Sequence, residues 1–349
     1  LEHLIPEEIT LTAWDEGSEN TFSKMFRKGN VLFGRRRAYL KKAAVAPFDG
    51  ICSGDITVIE AKPDRILPEL LPFIIQNDDL FDFAVGKSAG SLSPRVKWEH
   101  LKNYEFELPD MEKQKELAEL LWAMDNTKKS YQKLIAATDE LVKSQFMELF
   151  GDPVTNTQGR EVRPFKDFML DIRYGTSQPP TFDELGEFKF IRATNIKAGR
   201  ITENGMLRIS ADEAAKIEKC RLNGNEIIIV RSGANTGDTC VVTDEYRDQY
   251  AGYDIIVTLN LEIANPVFFN ELMNTHYMQA IIKPLTVRAA QPHINSEQVQ
   301  NLPMLVVPLQ EQEQFATFVR QSDKSKFELE KALSELTATY KRIIAENLG

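Results

Sequence analysis

The chain has 349 residues, of which 42% are hydrophobic and 27% charged, and its formal net charge is −10. This length predicts two domains or one large one, and this composition excludes a disordered chain. No apolar run reaches the roughly 18 residues needed to span a bilayer, and the N-terminus lacks a signal-peptide layout, so we expect a cytoplasmic protein with no membrane contact. Cys52, Cys220 and Cys240 have no CxxC spacing, and we expect small buried residues rather than metal ligands.

Short apolar runs and longer helical stretches alternate irregularly along the chain. The short runs are β-branched or aromatic and are bounded by Gly, Asn and Asp, which is typical of strands. The irregular order favours an α+β fold over a regular alternation of strands and helices. In chain order we predict strands at residues 31–33 and 56–59, helices at 68–84 and 112–150, strands at 227–230 and 255–258, and helices at 266–282 and 311–348.

The sequence repeats itself at a constant offset of 198 residues. Upstream of the aligned segment the offset drifts by a few residues, as expected where loops differ in length between two copies of one domain. The repeating unit is a domain followed by a long helix, used twice. The identities at this offset are Pro94 with Pro292, Glu99 with Glu297, Asn103 with Asn301, Gln114 with Gln312, Ala118 with Ala316, Asp125 with Asp323 and Gly151 with Gly349.

Both long helices lack proline and carry apolar residues at alternating spacings of three and four. The two series share the same offset, which predicts that the helices pair with each other as an antiparallel coiled coil. The alternative is that each helix packs only on its own domain. The predicted interface residues are Leu117, Leu121, Met124, Tyr131, Ile135 and Val142, continuing to Gln145 and Leu149, and in the second helix Phe315, Val319, Leu329, Leu333, Leu336, Tyr340 and Ile343, continuing to Asn347.

These patterns divide the chain into four segments. We expect a first domain at residues 1–109, a central helix at 110–151, a second domain at 152–308 and a C-terminal helix at 309–349. Residue 1 corresponds to about residue 199 of the second copy, so the first copy is shorter by roughly 45 residues. We interpret the first domain as incomplete at its N-terminus, because half a globular domain rarely folds alone.

Two equivalent stretches, residues 108–114 and 307–312, look like a P-L-x-E-Q opening of a long helix. Further characteristic stretches lie at residues 145–153, 190–196, 29–34 and 48–53. In these motifs the chain resembles the specificity subunits of type I restriction-modification systems, and the resemblance covers essentially the whole chain in the right order. It implies two target recognition domains joined by two antiparallel conserved helices, with a departure from the pattern at the N-terminus of the first domain.

The resemblance also implies a function. Each domain would read one half of a split, asymmetric DNA site, and the paired helices would act as a ruler between the half-sites. The subunit would be non-catalytic and would hold no cofactor of its own. Its partners would be double-stranded DNA, two modification subunits that transfer methyl groups from S-adenosylmethionine to adenine, and restriction subunits that use ATP and Mg.

Candidate DNA contacts lie in two loops of the first copy. A basic run follows the strand at residues 31–33, and the loop at residues 87–95 precedes the central helix. Arginine can fork onto guanine and lysine can neutralise phosphate, whereas the alternative is a solvated hairpin with alternating faces. The candidates in this copy are Arg35, Arg36, Arg37, Tyr39, Lys41, Lys87 and Arg95.

The second copy has different side chains in the equivalent loops. Its loop at residues 231–237 is less charged but polar and glycine-bearing, as a different half-site would demand. In the loop at residues 286–293 we interpret His293 as a satisfied surface or core histidine. The DNA-contact candidates in this copy are Ser177, Gln178, Arg192, Asn195, Arg231, Asn235, Arg288 and Gln291.

Three alternatives stand beside this hypothesis. Acidic side chains outnumber basic ones in both copies, which favours a coiled-coil scaffold that binds proteins and otherwise requires a local DNA surface. Asp49 or Asp55 with Glu60 could form a magnesium-dependent PD-(D/E)xK nuclease site, although the second copy has leucines there. Residues 265–268 come near the tetrapeptide of an amino-methyltransferase, but a helix start explains them better.

Overall fold

A computed structural model describes residues 1–17, 20–286 and 292–348 of the chain. The chain divides into two compact units. Unit 1 is Leu1–Ile135 with Phe327–Gly349, and unit 2 is Ala136–Lys326. Over the described ranges no helix combines the length and the apolar character needed to cross a membrane. Each unit contains an α+β body of short strands and helices together with part of each long helix.

Unit 1 is built from short strands, three short helices and parts of the two long helices. Its main sheet is antiparallel with the strand order β3-β2-β5, and β1 pairs separately with β4. The elements are β1 (Lys24–Phe26), β2 (Val31–Gly34), β3 (Ala43–Val45), β4 (Gly50–Cys52), β5 (Ile56–Ile59), α1 (Leu71–Ile75), α2 (Asp78–Gly86), α3 (Trp98–Leu101) and α4 (Met111–Phe150), of which α4 continues into unit 2.

Strand β2 is apolar throughout because both of its faces are buried. Val31 and Phe33 enter one core, which also contains residues of α1, α2 and the long helices, whereas Leu32 enters a second core with Phe26. Successive side chains of a strand point to opposite faces, so a strand between two cores needs an uninterrupted apolar run. The run at residues 31–33, which the sequence predicts as a strand, is the central strand of this sheet.

Unit 2 contains a larger set of strands. Its elements are β6 (Val162–Pro164), β7 (Met169–Tyr174), β8 (Phe188–Ile191), β9 (Ile196–Lys197), β10 (Arg200–Ile201), β11 (Leu207–Ile209), α5 (Ala211–Lys216), β12 (Ile227–Ile229), β13 (Thr239–Val241), β14 (Tyr250–Ala251), β15 (Ile255–Leu259), α6 (Pro266–Asn274), α7 (His276–Thr286), α8 (Ser296–Gln300), β16 (Pro303–Leu305) and α9 (Leu309–Leu348), of which α9 continues into unit 1.

Strand β12 takes the same place in unit 2 as β2 takes in unit 1. The main sheet of unit 2 has the order β13-β12-β15-β7, so β12 lies between two antiparallel partners, as β2 does. Ile227 and Ile229 enter one core and Ile228 enters another, which repeats the two-sided burial of β2. A fourth strand, β7, pairs with β15, whereas the described residues of unit 1 contain no strand on that side of β5. The repeat found in the sequence extends to the strand order.

The start of each long helix is held by an equivalent glutamine. The Gln114 side chain accepts a hydrogen bond from the Leu67 backbone N–H at 3.0 Å and donates to the carbonyls of Arg65 and Pro109 at 3.2 and 2.9 Å. Gln312 accepts from the Asn265 N–H at 2.8 Å and donates to the carbonyls of Ile263 and Val307 at 3.0 and 2.7 Å. Every partner is displaced by 198 residues, so the joint between helix and domain is the same in both copies.

Replacing Gln312 with leucine is expected to destabilise unit 2 by about 2–3 kcal/mol, because buried backbone groups would lose their hydrogen-bond partner. Gln312 is fully buried, so water cannot replace the amide. Urea unfolding followed by circular dichroism measures the change. Gln310→Leu is the matched control, since Gln310 is exposed on the same helix turn and should leave the free energy of unfolding nearly unchanged. Equal effects from the two variants would contradict this role.

The long helices pair in an antiparallel sense within each unit. In unit 2, Lys326 Nζ lies 2.7 Å from both carboxylate oxygens of Asp139, and the rings of Phe146 and Phe315 are 5.5 Å apart. The contact positions therefore run in opposite directions along the two helices. In unit 1 the predicted interface residues Leu117, Leu121 and Met124 share a core with Tyr340, while Leu336 and Ile343 pack against that core. In unit 2 Val142, Phe315 and Val319 share a core.

The predicted contact series differs from the structure at the end of each helix. Leu149 is 43% exposed, whereas Phe146 and Phe150 are buried. In α9 the buried residues after Tyr340 are Ile344 and Leu348 rather than Asn347. The helix ends pack on the α/β bodies through steps of four residues, because a straight helix of 3.6 residues per turn drifts away from the heptad seam. The middle residues of the prediction are half-buried: Tyr131, Ile135, Leu329 and Leu333.

Candidate nucleic-acid interface

The two candidate loops of each copy meet at the end of the central strand. In unit 1 the Val96 N–H donates to the Arg35 carbonyl at 2.9 Å, and Arg36 forms an antiparallel bridge with Arg95. In unit 2 the Ile294 N–H donates to the Arg231 carbonyl at 2.9 Å. There the equivalent bridge joins Ser232 to His293. Two segments that lie about 60 residues apart in sequence thus form one surface in each unit, and their backbone geometry is shared.

A carboxylate organises this surface in unit 1. Asp55 lies 2.7 Å from Arg95 and 3.5 Å from Arg36, and the Arg36 Nε donates to Ser93 Oγ at 2.6 Å. The hydrogen bond from Arg95, together with the charges of both arginines, lowers the pKa of the Asp55 carboxyl. The two guanidinium groups are therefore fixed side by side, with their charge partly neutralised in the free protein. Arg35 is half-buried, and no described residue is a hydrogen-bond partner of its buried Nε.

Of the remaining candidates of unit 1, Arg37, Tyr39 and Lys87 are exposed and Lys41 is half-buried. Arg37 adopts a left-handed backbone with φ 54° before a single 3-10 turn, and Tyr39 in that turn is 54% exposed. Lys41 Nζ lies 2.5 Å from Asp78, and this hydrogen bond raises the pKa of the lysine. Lys87 is exposed and lies over the ring of Phe83 at 5.9 Å. These side chains can reach a phosphate backbone without rearrangement of the fold.

Aromatic rings replace the carboxylate cluster in unit 2. The Arg231 guanidinium carbon lies 4.4 Å from the ring centroid of Tyr174 and 4.2 Å from that of Tyr253. Its Nε donates to Nε2 of His293 at 2.9 Å. The Arg231 backbone N–H donates to the Asp254 carboxylate at 3.1 Å. One arginine is thereby held by β7, by the start of β15 and by the second loop.

Burial changes the acidity of the carboxyl beneath this arginine. Asp254 is 4% exposed, and desolvation raises the pKa of its carboxyl to about 6, despite the favourable Arg231 N–H and charge. The folded pKa lies above the unfolded value of about 3.9, so the protonated form is favoured by folding. The stability that this group contributes is complete below about pH 4 and is lost as the pH rises through about 6.

Replacing Asp254 with asparagine is therefore expected to stabilise unit 2 at pH 8 by about 2–3 kcal/mol and to have little effect at pH 4. The asparagine oxygen can still accept the Arg231 N–H, so the loop is expected to keep its shape. Urea unfolding of both proteins at the two pH values measures the difference. A variant that is less stable than the parent at both pH values would show that the ionised carboxylate is stabilising.

The polar loop after β12 is tightly folded. Thr236 is buried, and its hydroxyl donates to the Gly233 carbonyl at 2.6 Å. Gly237 has φ 94°, and a Cβ there would lie 2.6 Å from the Ile282 side chain of α7, so only glycine fits. Asn235 is half-buried at the tip of this loop. Gly237 thus allows the loop to pack on α7, and Asn235 and Arg231 are the polar candidates of this loop.

The other predicted residues of unit 2 have different environments. Ser177 and Gln178 are exposed, and Arg192 donates to the Gly205 carbonyl at 2.9 Å. Ser177 and Arg192 line a cavity of about 310 Å³, together with Tyr253 and Asp254. Two of the sequence-based candidates therefore share a cavity with the neighbours of Arg231.

The prediction that Asn195 contacts DNA was wrong for this structure. Its side chain is fully buried, accepts the Arg192 N–H at 3.2 Å and donates to the carbonyls of Thr202 and Asn204. An amide that caps a turn and holds a neighbouring loop cannot also face a ligand. The loop predictions for Arg288 and Gln291 lie outside the described residues.

The sequence interpretation missed most of the groups that hold Arg231. His293 was interpreted only as a satisfied surface or core histidine, and neither Tyr174 nor Tyr253 was among the candidates. Asp55 precedes β5 and Asp254 precedes β15, and an acidic residue at this place in both copies is a sequence signal that could have indicated a shared loop anchor. Cys52, Cys220 and Cys240 are buried free thiols, as predicted.

Comparisons with known proteins agree with this architecture. A family model described as "Type I restriction modification DNA specificity domain" matches residues 10–137 and 162–337. The specificity subunit of the type I restriction enzyme EcoDI from Escherichia coli is 26% identical over 134 residues, which are 37% of this chain and 30% of that protein. The matched segment therefore spans less than a third of that relative.

Two solved structures share the fold. The type I restriction-modification S subunit from M. genitalium has a TM-score of 0.63 and 14% identity, covering 99% of this chain and 90% of that one. A chain from a study of complex assembly and conformational transition of the type I R-M system has a TM-score of 0.54 and 20% identity, covering 95% of this chain and 85% of that one. The family model matches two successive segments that together make up most of the sequence, and the chain therefore belongs to the family of type I restriction-modification DNA specificity domains.

Proposed function

We propose that this chain is the DNA sequence-specificity subunit of a type I restriction-modification complex. Unit 1 reads one half of a split, asymmetric site, and unit 2 reads the other half. The observation that carries this proposal is the pair of equivalent loop surfaces with different side chains. Arg36, Arg95 and Asp55 form the surface in unit 1, whereas Arg231 with two tyrosines forms it in unit 2. A shared backbone with different side chains is what two different half-sites require.

The proposed role is recognition, and the chemistry belongs to partner subunits. The family is described as a specificity domain, which supports a non-catalytic role. The partners are double-stranded DNA, two modification subunits that use S-adenosylmethionine, and restriction subunits that use ATP and Mg, all in the cytoplasm. The net charge of −10 supports the participation of partner subunits, because partners that add phosphate contacts would raise the affinity of an acidic chain for DNA.

The nuclease alternative has no structural support. Both oxygens of Asp55 face arginines rather than an open metal position, and the Asp49 carboxylate accepts the Lys28 backbone N–H at 2.7 Å. Glu60 is exposed beyond the end of β5. Carboxylates that bind Mg²⁺ in nucleases converge on an open site, and these do not. The protein-binding scaffold alternative is separated from DNA recognition by the experiment below.

Mapping methylated adenines in cells that express the complete system tests the proposal. We expect one bipartite, asymmetric motif with a fixed spacer. In a second arm, the double variant R36A/R95A should relax the bases of one half-motif, and Arg231→Ala should relax bases of the other half only. The same division is predicted for Arg288 and Gln291 in the half-site of unit 2. Methylation that does not require this chain would refute DNA recognition. A methylation motif that stays unchanged in every variant would also refute it and would favour the scaffold alternative.

A further inference from the structure

The guanidinium group of Arg231 is fixed at one edge and open at the other. Its Nε is occupied by His293, and its carbon packs against the rings of Tyr174 and Tyr253. Among residues 1–17, 20–286 and 292–348, neither terminal nitrogen of Arg231 has a hydrogen-bond or ion-pair partner. Of its five N–H groups only the Nε–H is used among the described residues, so one N–H of each terminal nitrogen can be offered in parallel to a ligand.

The groups that hold Arg231 are themselves anchored. The Tyr174 hydroxyl accepts the Ser296 backbone N–H at 2.9 Å, which fixes that ring at the end of β7. Asp254 is buried and accepts the Arg231 backbone N–H, which fixes the start of the side chain. An arginine normally loses much rotamer freedom when it binds a ligand, and a preformed clamp removes that cost before binding. Such an arrangement suits a residue that must discriminate between ligands.

Two parallel N–H donors in a plane match one base edge in the major groove. Guanine presents O6 and N7 there as adjacent acceptors, whereas adenine presents a donor beside N7 and therefore opposes one of the two N–H groups. A phosphate also accepts a bidentate arginine, but it would not need the ring contacts that fix the plane of the guanidinium group.

We infer that Arg231 is the guanine-reading residue of unit 2, and that Tyr174, Tyr253 and His293 are positioning residues that aim its terminal nitrogens at the O6 and N7 of one guanine. This inference rests on the proposed function and adds the base that the site reads. The described residues of unit 1 show no equivalent clamp. Arg35 occupies the same backbone position, but none of the cation–ring contacts in the described residues involves it.

The test uses the complex with its modification subunits and duplexes that carry the mapped motif. Each guanine of the half-site is replaced in turn by 7-deazaguanine, which lacks the N7 acceptor. For the wild-type complex we expect one position at which replacement weakens binding by about 5- to 150-fold. The Arg231→Ala complex should bind the unmodified duplex more weakly by a similar factor. Replacement of the guanine at that one position should not weaken its binding further, and replacements at the other guanines should affect it as they affect the wild-type complex.

Positioning by the rings is tested with a conservative pair of variants. Tyr253→Phe keeps the ring and should retain the sensitivity to 7-deazaguanine. Tyr253→Leu keeps the apolar bulk without a ring face and should lose most of that sensitivity, although the fold is retained. Arg163→Ala is the control for loss of one positive charge, because Arg163 is exposed in β6 and pairs with Glu161.

The outcomes separate the inference from the proposed function. A wild-type complex that binds the motif but shows the same sensitive guanine after Arg231→Ala would overturn the inference alone. Uniformly weaker binding to every duplex would identify Arg231 as a phosphate contact and would also overturn it. If the wild-type complex showed no preference for the motif over unrelated duplexes, the proposed function itself would fail.

Discussion

Replacing Phe146 with alanine is expected to lower the free energy of unfolding of unit 2 by about 3–5 kcal/mol. The side chain is 1% exposed, and its ring lies 5.1 Å from that of Phe150, 5.7 Å from Phe268 and 5.5 Å from Phe315. It therefore joins α4, α6 and α9 in one core. Removing the ring loses the buried apolar area and leaves a cavity between three helices that cannot easily collapse.

Hydrogen exchange resolved by segment measures this effect. Unit 2 amides should lose protection by a factor that corresponds to the lost free energy. All three tryptophans lie in unit 1, so tryptophan fluorescence reports on that unit in the same sample. The matched control is Leu149→Ala, one turn away on the same helix, because that side chain is 43% exposed and should cost less than about 1 kcal/mol. A larger loss of unfolding free energy from Leu149→Ala than from Phe146→Ala would contradict this packing and would favour the heptad contacts predicted from the sequence.

Inserting one heptad into both long helices is expected to abolish methylation at the native motif and to create a motif with a longer spacer. The insertions are placed at the boundary between the units, after Ile135 in α4 and after Lys326 in α9. Seven residues add about 10.5 Å of helix, which corresponds to about three base pairs of duplex. Because both helices gain the same length, the antiparallel contacts inside each unit are retained.

A single insertion provides the control for this prediction. Seven residues added to α4 alone would force the unpaired stretch to loop out or shift the helix pairing, so partner contacts such as Lys326 with Asp139 would no longer align. We expect that variant to lose methylation without gaining a new motif. Genome-wide mapping of methylated adenines distinguishes the two results. An unchanged spacer in the double insertion would show that the helices do not set the distance between half-sites.

The sequence predicted the repeat well because the repeated residues have local tasks. Gln114 and Gln312 bond to backbone groups at the same offset, so one diagonal comparison located both joints. The apolar series also predicted Leu117, Leu121 and Val142, since helix periodicity is a local property. Phe146 and Phe150 were missed because their partner Phe268 belongs to α6, and the local pattern contains no information on that packing.

The candidate site was harder to predict for the same reason. The sequence suggests Arg231 as a polar loop residue, but its environment comes from Tyr174, Tyr253 and His293, which are distant in the sequence. Asn195 was chosen because it is polar and lies in a family-like stretch, yet its amide is used inside the fold. Residue type alone does not distinguish an amide that caps a turn from one that faces a base.

The glutamine joints have a consequence for how such a chain can change. In each copy one buried amide and three backbone groups help to attach the α+β body to its helix, and none of them lies in the loops after β2 or β12. Substitutions in those loops can accumulate without disrupting the hydrogen bonds of Gln114 and Gln312. The loops proposed to contact DNA can therefore diverge during evolution, while the glutamine joints between each domain and its helix are retained.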